Sequence, residues 1–295
     1  MNRLAWLLFA VVSFLWGIPY FLIKIAIEDL SPVLVVAGRT AIAAAVLIPF
    51  ALMRGTLGAL RGRMRVVALI AAVHIIGPFL LITYGEQHIT SSLTGILIAV
   101  EPVVIALLLS RAEPLTPVRI LGLFLGFAGV VILVGVDLSG DRYGLLGAAM
   151  VLAAAVSYAV ATMLVQRHAA DLPPESLTVG TTVITTLVLL PASLFALPDA
   201  PVGADAWGAL AVLGVFCTAV ALLAFYKLIG LAGSNRAGLV TYVNPVVAVL
   251  LGVALLNEPV GPGTVAGFAV VVAGCWFCTR PVPARAEEKI LEPSR

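Results

Sequence analysis

The stretch DLSPVLVVAGRT at residues 29–40 returns as DLPPESLTVGTT at residues 171–182. Asp29-Leu30 falls on Asp171-Leu172, Pro32 on Pro174, Gly38 on Gly180 and Thr40 on Thr182, without a gap. The same offset of 142 carries Pro49 onto Pro191, Trp16 onto Tyr158 and Tyr84 onto Tyr226. At an offset of 145, Glu113-Pro114, Pro117, Gly122 and Gly129 meet Glu258-Pro259, Pro262, Gly267 and Gly274. The chain reads as one unit written twice.

Composition says what the unit is made of. Of 295 residues, 62% are hydrophobic and 11% charged, and the mean hydropathy is +1.15. A soluble domain carries about 25% charged residues, so this balance points to a membrane. Ten apolar runs can be drawn, at roughly 4–26, 32–52, 66–84, 90–110, 117–136, 143–166, 175–196, 207–229, 235–256 and 262–279. Each is near the ~20 residues that a helix needs to cross the hydrocarbon. Backbone groups cannot go unpaired in lipid, so the runs must be helices unless they close a barrel. The strict alternation of barrel strands is missing. The expected class is an all-α integral membrane protein with ten transmembrane helices arranged as two inverted five-helix repeats, 1–140 and 141–280, followed by a disordered tail at 281–295. An odd number of spans per unit turns the second copy over, and inverted repeats are how alternating-access carriers are built. The first run is too long for a secretion signal and lacks a small-residue cleavage site, so it is expected in the mature protein.

Lysine and arginine set the orientation. With the N-terminus inside, Arg3, Arg54, Arg61, Arg63, Arg65, Arg111, Arg119, Arg167, Lys227, Arg236 and the basic tail residues gather on the cytoplasmic side, 14 of 17 basic residues. Arg142 alone falls outside, where the loops carry Asp29, Glu86, Asp137, Asp199, Asp205 and Glu258. Both termini are therefore expected in the cytoplasm, with the Arg61–Arg65 cluster against anionic headgroups. The net charge of +2 calls for no nucleic-acid partner.

Each half closes on the same device. Glu113-Pro114 precedes Thr116-Pro117, and Glu258-Pro259 precedes Gly261-Pro262. Thr or Gly suits an N-cap and Pro the first helical position. An acidic residue just ahead favours the positive end of the following helix, so both glutamates read as caps. The glycines that follow, including Gly122 and Gly126, let helices approach closely. They mark the fifth and tenth spans as packing elements and leave a homodimer contact open. Cys217, Cys275 and Cys278 lie in apolar runs, and the C-x-x-C of Cys275 and Cys278 has no His or acidic neighbour; they read as small apolar residues.

A Trp-Gly in the first helix (Trp16-Gly17), Arg39 in the second and Tyr84-Gly85-Glu86-Gln87 before the fourth form an ordered set. Pro102 and Pro245 within the fourth and ninth runs, and Glu113 and Glu258, complete it. With this set the chain resembles the EamA-type branch of the drug/metabolite transporter superfamily over all but its tail. The resemblance implies ten helices, a central cavity between the halves and transport of small organic solutes, often export of amino acids or related metabolites.

Ionisable residues inside spans are costly and point to function. Lys24, Arg39, His74 and Glu101 are the four, all in the first unit. Glu101 lies about 16 Å and His74 about 12 Å from a helix end, both near the midplane. Their counterparts are Gln166, Thr181, Phe216 and Asn244, so the second copy is expected to fold without these charges. Glu101-Pro102 and Asn244-Pro245 mark interrupted helices, since proline frees a carbonyl four residues back. Matching interruptions in two halves point to a binding site. Glu101 would hold a proton or a substrate ammonium and Arg39 a carboxylate; the competing reading is a buried Arg39–Glu101 pair that fixes packing. His74 suits proton shuttling or an interhelical hydrogen bond, and Lys24 can snorkel to the interface.

Ser13, Trp16, Tyr20 and Lys24 share one side of the first span, with Gly17 and Pro19 as a hinge, and Tyr158, Thr162 and Gln166 answer at i, i+4, i+8. Such stripes suit a cavity for amphipathic solutes. Candidate substrate-binding residues are thus Trp16, Tyr20, Arg39, His74, Tyr84, Glu101, Tyr158, Thr162, Gln166, Tyr226 and Asn244, with Glu101 and His74 the coupling candidates. Glu86 and Gln87 read as a gate or a cap. No catalytic group, metal site or cofactor is expected: His74, His88 and His168 are scattered, and no H-E-x-x-H or phosphate-binding loop occurs. The expected partners are a small-molecule solute, membrane lipid and protons. The expected function is a secondary carrier that exports small organic metabolites by alternating access, with proton coupling through Glu101; an uncoupled facilitator of the same solutes and a lipid-moving protein are the alternatives.

Overall fold

The structure is a computed structural model and describes residues 2–109, 116–137, 143–233 and 237–278. Glu113, Arg111, Arg142, Arg236 and the tail at 281–295, which entered the cap, orientation and tail readings, lie outside the described residues.

Among the described residues, ten helices follow one another: α1 (Arg3–Asp29), α2 (Pro32–Met53), α3 (Met64–Gly85), α4 (Ser91–Leu108), α5 (Pro117–Asp137), α6 (Gly144–His168), α7 (Pro174–Leu194), α8 (Ala204–Ala232), α9 (Gly238–Leu256) and α10 (Pro262–Cys278). Eight of them are long and apolar enough to cross a membrane; the apolar part of α5, Pro117–Leu133, and α10 are shorter. Phe124, Phe127, Leu187 and Phe195 stand on the outer surface with many other large apolar side chains, as lipid-facing residues do. The chain is a multi-pass membrane protein.

The helix starts follow the local sequence. Ser31 caps α2 by accepting from the Leu34 amide at 3.3 Å, with Pro32 in the first helical position. Thr116 does the same for α5 toward Arg119, ahead of Pro117. Four helices are interrupted at matching places. Helix α4 breaks at Ala99–Val100, just before Glu101-Pro102. Helix α9 starts as a 3-10 turn, Gly238–Tyr242, ahead of Asn244-Pro245. A π segment interrupts α3 at Ala71–Ile76 and α8 at Val215–Val220. Helix α1 is broken at Ile18, between Gly17 and Pro19.

Packing pairs α1 with α8, α2 with α7, α3 with α6, α4 with α9 and α5 with α10. Every pair joins the first half of the chain to the second, and exchanging each helix with the one five places away leaves the set unchanged. The α5–α10 seam depends on glycine: a Cβ at Gly129 would lie 2.7 Å from the Val271 nitrogen, and one at Gly122 2.7 Å from the Gly274 oxygen. The glycine face considered for a homodimer is thus occupied within the chain.

The repeated aspartates clasp two of these pairs. Asp29, at the end of α1, accepts from the Gly203 amide ahead of α8 at 2.7 Å. Asp171, after α6, takes a two-pronged bond from Arg63 ahead of α3, at 2.8 and 3.0 Å, and Arg63 also donates to the His168 carbonyl. Arg63 therefore serves as a clasp within the bundle, although its neighbours suggested a headgroup site. The Arg63 hydrogen bond holds the Asp171 carboxyl below its ordinary pKa.

The acidic cap at Glu258 works differently from expectation. Glu258 reaches back to α4, accepting from the Ser91 and Ser92 amides at 2.7 and 2.9 Å and from the Ser92 hydroxyl at 2.5 Å. It caps a helix of the other half and not the α10 that follows it. The reason is reach: the turn at Asn257, in the left-handed region at φ 53°, aims the side chain across the α4–α9 contact.

Candidate functional site

The helix interruptions surround a cavity between the two halves. Its lining includes eight of the eleven sequence candidates: Trp16 and Tyr20 from α1, Arg39 from α2, His74 from α3, Glu101 from α4, Tyr158 and Thr162 from α6, and Asn244 from α9. Phe79, Leu222, Phe225 and Thr241 add to the wall. Gly17 lets α1 close on this wall, since a Cβ there would lie 2.9 Å from the Asn244 carbonyl oxygen.

Each polar group has a neutral partner. The Arg39 guanidinium lies 4.1 Å above the Phe79 ring, and its Nε donates to Thr218 Oγ1 at 3.0 Å. Glu101 Oε1 accepts from Thr162 at 3.3 Å. The competing reading, a buried Arg39–Glu101 pair, does not hold: among the described residues the salt bridges are Arg54–Glu175 and Arg63–Asp171. His74 Nδ1 and the Tyr226 hydroxyl are 2.9 Å apart. Asn244 donates to the main-chain oxygens of Val240 and Ser13, both at 2.9 Å, which satisfies part of the interrupted backbone of α9. At the α4 break the Cys275 thiol donates to the Ala99 carbonyl at 3.0 Å, so this cysteine is more than an apolar filler.

Three candidates lie elsewhere. Tyr84 is 38% exposed at the far end of α3, and Gln166 is exposed near the end of α6. A helix advances about 100° per residue, so i+8 drifts some 80° off the starting face; Tyr158 and Thr162 stay on the cavity side and Gln166 leaves it. Tyr226 stands behind His74, and its neighbour Phe225 faces the cavity and packs on Trp16 with ring centroids 4.4 Å apart. Sequence reasoning missed Phe79 and Phe225; the stacking of Arg39 on Phe79 joins two different helices, and no local pattern signals it. It also paired His74 with Phe216. The two π segments instead match at an offset of 144, opposing His74 with buried Thr218, while Phe216 is 50% exposed.

Away from the cavity, Lys24 donates to the main-chain carbonyl of Glu86. Glu86 itself is fully buried, and neither carboxyl oxygen has a hydrogen-bond partner.

Helices that enclose a buried cavity with one cation and one carboxylate, inside an apolar shell, define an integral membrane protein of the transporter class. The family described as EamA-like transporter matches residues 3–135 and again 145–280. The chain belongs to the EamA-like transporter family. An uncharacterized transporter of Archaeoglobus fulgidus is 28% identical over 283 residues, covering 93% of this chain and 98% of the relative. The uncharacterized inner membrane transporter YedA of Escherichia coli K12 is 27% identical over 253 residues, covering 83% and 80%. A crystal structure of another protein superposes with a TM-score of 0.70 at 23% identity, over 93% of this chain and 97% of that one, which shows a shared fold.

Proposed function

We propose that this chain is a secondary carrier that exports a small organic solute, such as an amino acid or a related metabolite, by alternating access at the central cavity. The observation that carries this reading is the separation of Arg39 from Glu101. Each is buried in the cavity wall, and each is bonded to a hydroxyl instead of to the other. A buried charge left without a counter-ion is costly, so both groups suit a ligand that brings the opposite charges. An aromatic wall of Trp16, Tyr20, Phe79 and Phe225 would hold the apolar part of the same solute.

The halves 1–140 and 141–280 act as inverted five-helix repeats that rock against each other. The exchange symmetry of the helix pairs supports this. The bias of basic residues supports a cytoplasmic position for both termini, Arg63 and Asp171. The E. coli relative YedA, described as an inner membrane transporter, fits a cytoplasmic-membrane location. Glu101 carries the coupling proton, and His74 lines the same cavity.

Flux into proteoliposomes tests the reading, with a pool of amino acids and related metabolites and a pH-sensitive dye. The expected result is pool-dependent proton flux that disappears in Glu101→Gln. Solute flux without protons, unchanged in Glu101→Gln, would leave an uncoupled facilitator. No flux of any pool member in either protein would remove the solute class proposed.

A further inference from the structure

A second pocket, of about 590 Å³, opens at the Asp171 end of the bundle, between the α6–α7 turn and the last turns of α8. Leu172, Leu177, Tyr226 and Lys227 are among its walls. It lies in line with the central cavity along the same two helices. On α6, Tyr158 and Thr162 line the cavity, and Val165 and Ala169 line the pocket, at i, i+4, i+7 and i+11 on one helical face. On α8, Leu222 and Phe225 face the cavity, and Tyr226 and Ile229 face the pocket. His74 belongs to the first wall and Tyr226 to the second, and a single 2.9 Å hydrogen bond joins them.

We infer that this pocket is the cytoplasmic entrance to the central cavity, and that the His74–Tyr226 hydrogen bond is the bar that shuts it. The inference rests on the carrier reading, and the occupant is the transported solute on its way to Arg39 and Glu101. Lys227, at the pocket wall, suits the acidic end of such a solute, and the apolar residues suit its body. The bar is held from two mechanically soft places. His74 lies inside the π segment of α3, and Tyr226 follows shortly after the π segment of α8. Such segments carry an irregular hydrogen-bond ladder and recur at functional sites. Thr181 of α7 already lies within hydrogen-bonding reach of the Tyr226 hydroxyl, so Tyr226 keeps a partner when His74 is released.

A related tie joins Arg39, two turns from the Pro32 end of α2, to Thr218 in the π segment of α8, so α8 takes part in both ties. Exchange of the halves carries Arg39 onto Thr181 and, through the π segments, Thr218 onto His74. Opening the Tyr226 tie alone would admit solute from the cytoplasm alone.

Thiol labelling decides this without any knowledge of the solute. With Cys217→Ala, Cys275→Ser and Cys278→Ala as background, Thr241→Cys reports on the cavity and Ala170→Cys on the pocket. A membrane-impermeant maleimide is applied to one face at a time, in right-side-out and inside-out vesicles. Ala170→Cys is expected to label from the cytoplasmic face. Adding Tyr226→Phe is expected to raise Thr241→Cys labelling from that face about fivefold, the factor for one ordinary hydrogen bond, and to leave the other face unchanged. His74→Leu removes the same bond from the opposite partner and must give the same one-sided increase; it also carries the test if Tyr226→Phe fails to fold. Labelling of Thr241→Cys that does not change in the variants, or rises equally from both faces, overturns the inference and leaves a crevice for lipid. Failure of the solute-flux assay with one-sided labelling intact would remove the proposed solute class and keep the entrance.

Discussion

The two halves of the chain share a helix plan and differ in charge. The first half places Arg39, His74 and Glu101 around the cavity, all buried. At the matching places of the second half stand Thr181, Thr218 and Asn244, also buried and all neutral. Both halves interrupt their third and fourth helices at matching places and pack their helices on equivalent partners, although the break of α1 at Ile18 has no match in α6. Around the cavity, the second half builds the same helix plan from residues without an acidic or basic side chain. The charges of the first half therefore have to be explained by what the protein binds and not by how it folds, because each carries a desolvation cost that a threonine does not.

Exchanging residues between the halves tests this contrast. The largest effect is expected for Thr181→Arg, which buries a cation on α7 with no carboxylate at hand. We expect a loss of about 3–5 kcal/mol, seen as a sharply lowered melting temperature in detergent. A stable Thr181→Arg protein would show that the interior tolerates charge anywhere. The reverse change, Arg39→Thr, should cut solute flux by about a hundredfold, as loss of a charged hydrogen bond to ligand would, while the melting temperature moves little. If Arg39→Thr unfolds the protein, Arg39 belongs to the scaffold and the contrast fails.

Smaller effects probe the links between the halves. Glu258→Gln weakens the charge-assisted cap on Ser91 and Ser92 and should cost about 1 kcal/mol, measured by thermal unfolding of parent and variant side by side. The weakest is the Arg63–Asp171 clasp, which is solvated. The Asp171 carboxyl is held below its ordinary value, so its contribution is complete above the unfolded pKa of about 3.9 and fades as pH falls through the lower folded value. The difference in melting temperature between the parent and Asp171→Asn should stay constant from pH 5 to 8, as a plan for the measurement, and shrink only below about pH 4.

Much of the fold was legible because lipid imposes strict rules. Hydropathy marked the helices, and Pro102 and Pro245 marked their interruptions, since a missing backbone donor in lipid must be met by protein or a cavity. The rule that ionisable residues turn inward pointed Arg39, His74 and Glu101 to one region without any structure. What stayed hidden was the choice of partner. Arg39 and Glu101 looked complementary, yet Thr218 and Thr162 are the hydroxyls in reach. Those contacts join residues 179 and 61 positions apart, and no local pattern announces them. Helical drift hid the outward turn of Gln166, and the π segments shifted the register that would have matched His74 with Thr218. Glu86 looked like an outer-loop residue because its burial depends on helices far away in sequence.

The cap that Glu258 places on α4 bears on how the protein is made. Ser91 leaves the ribosome 167 residues before the carboxylate that will satisfy its amide. At about 5–20 residues per second, that is a wait on the order of ten seconds or more. During that interval the start of α4 sits in the membrane with two open donors. The first half therefore cannot mature ahead of the second, and a chain halted before Glu258 should be seen by quality control as unfinished, however well its earlier helices have inserted.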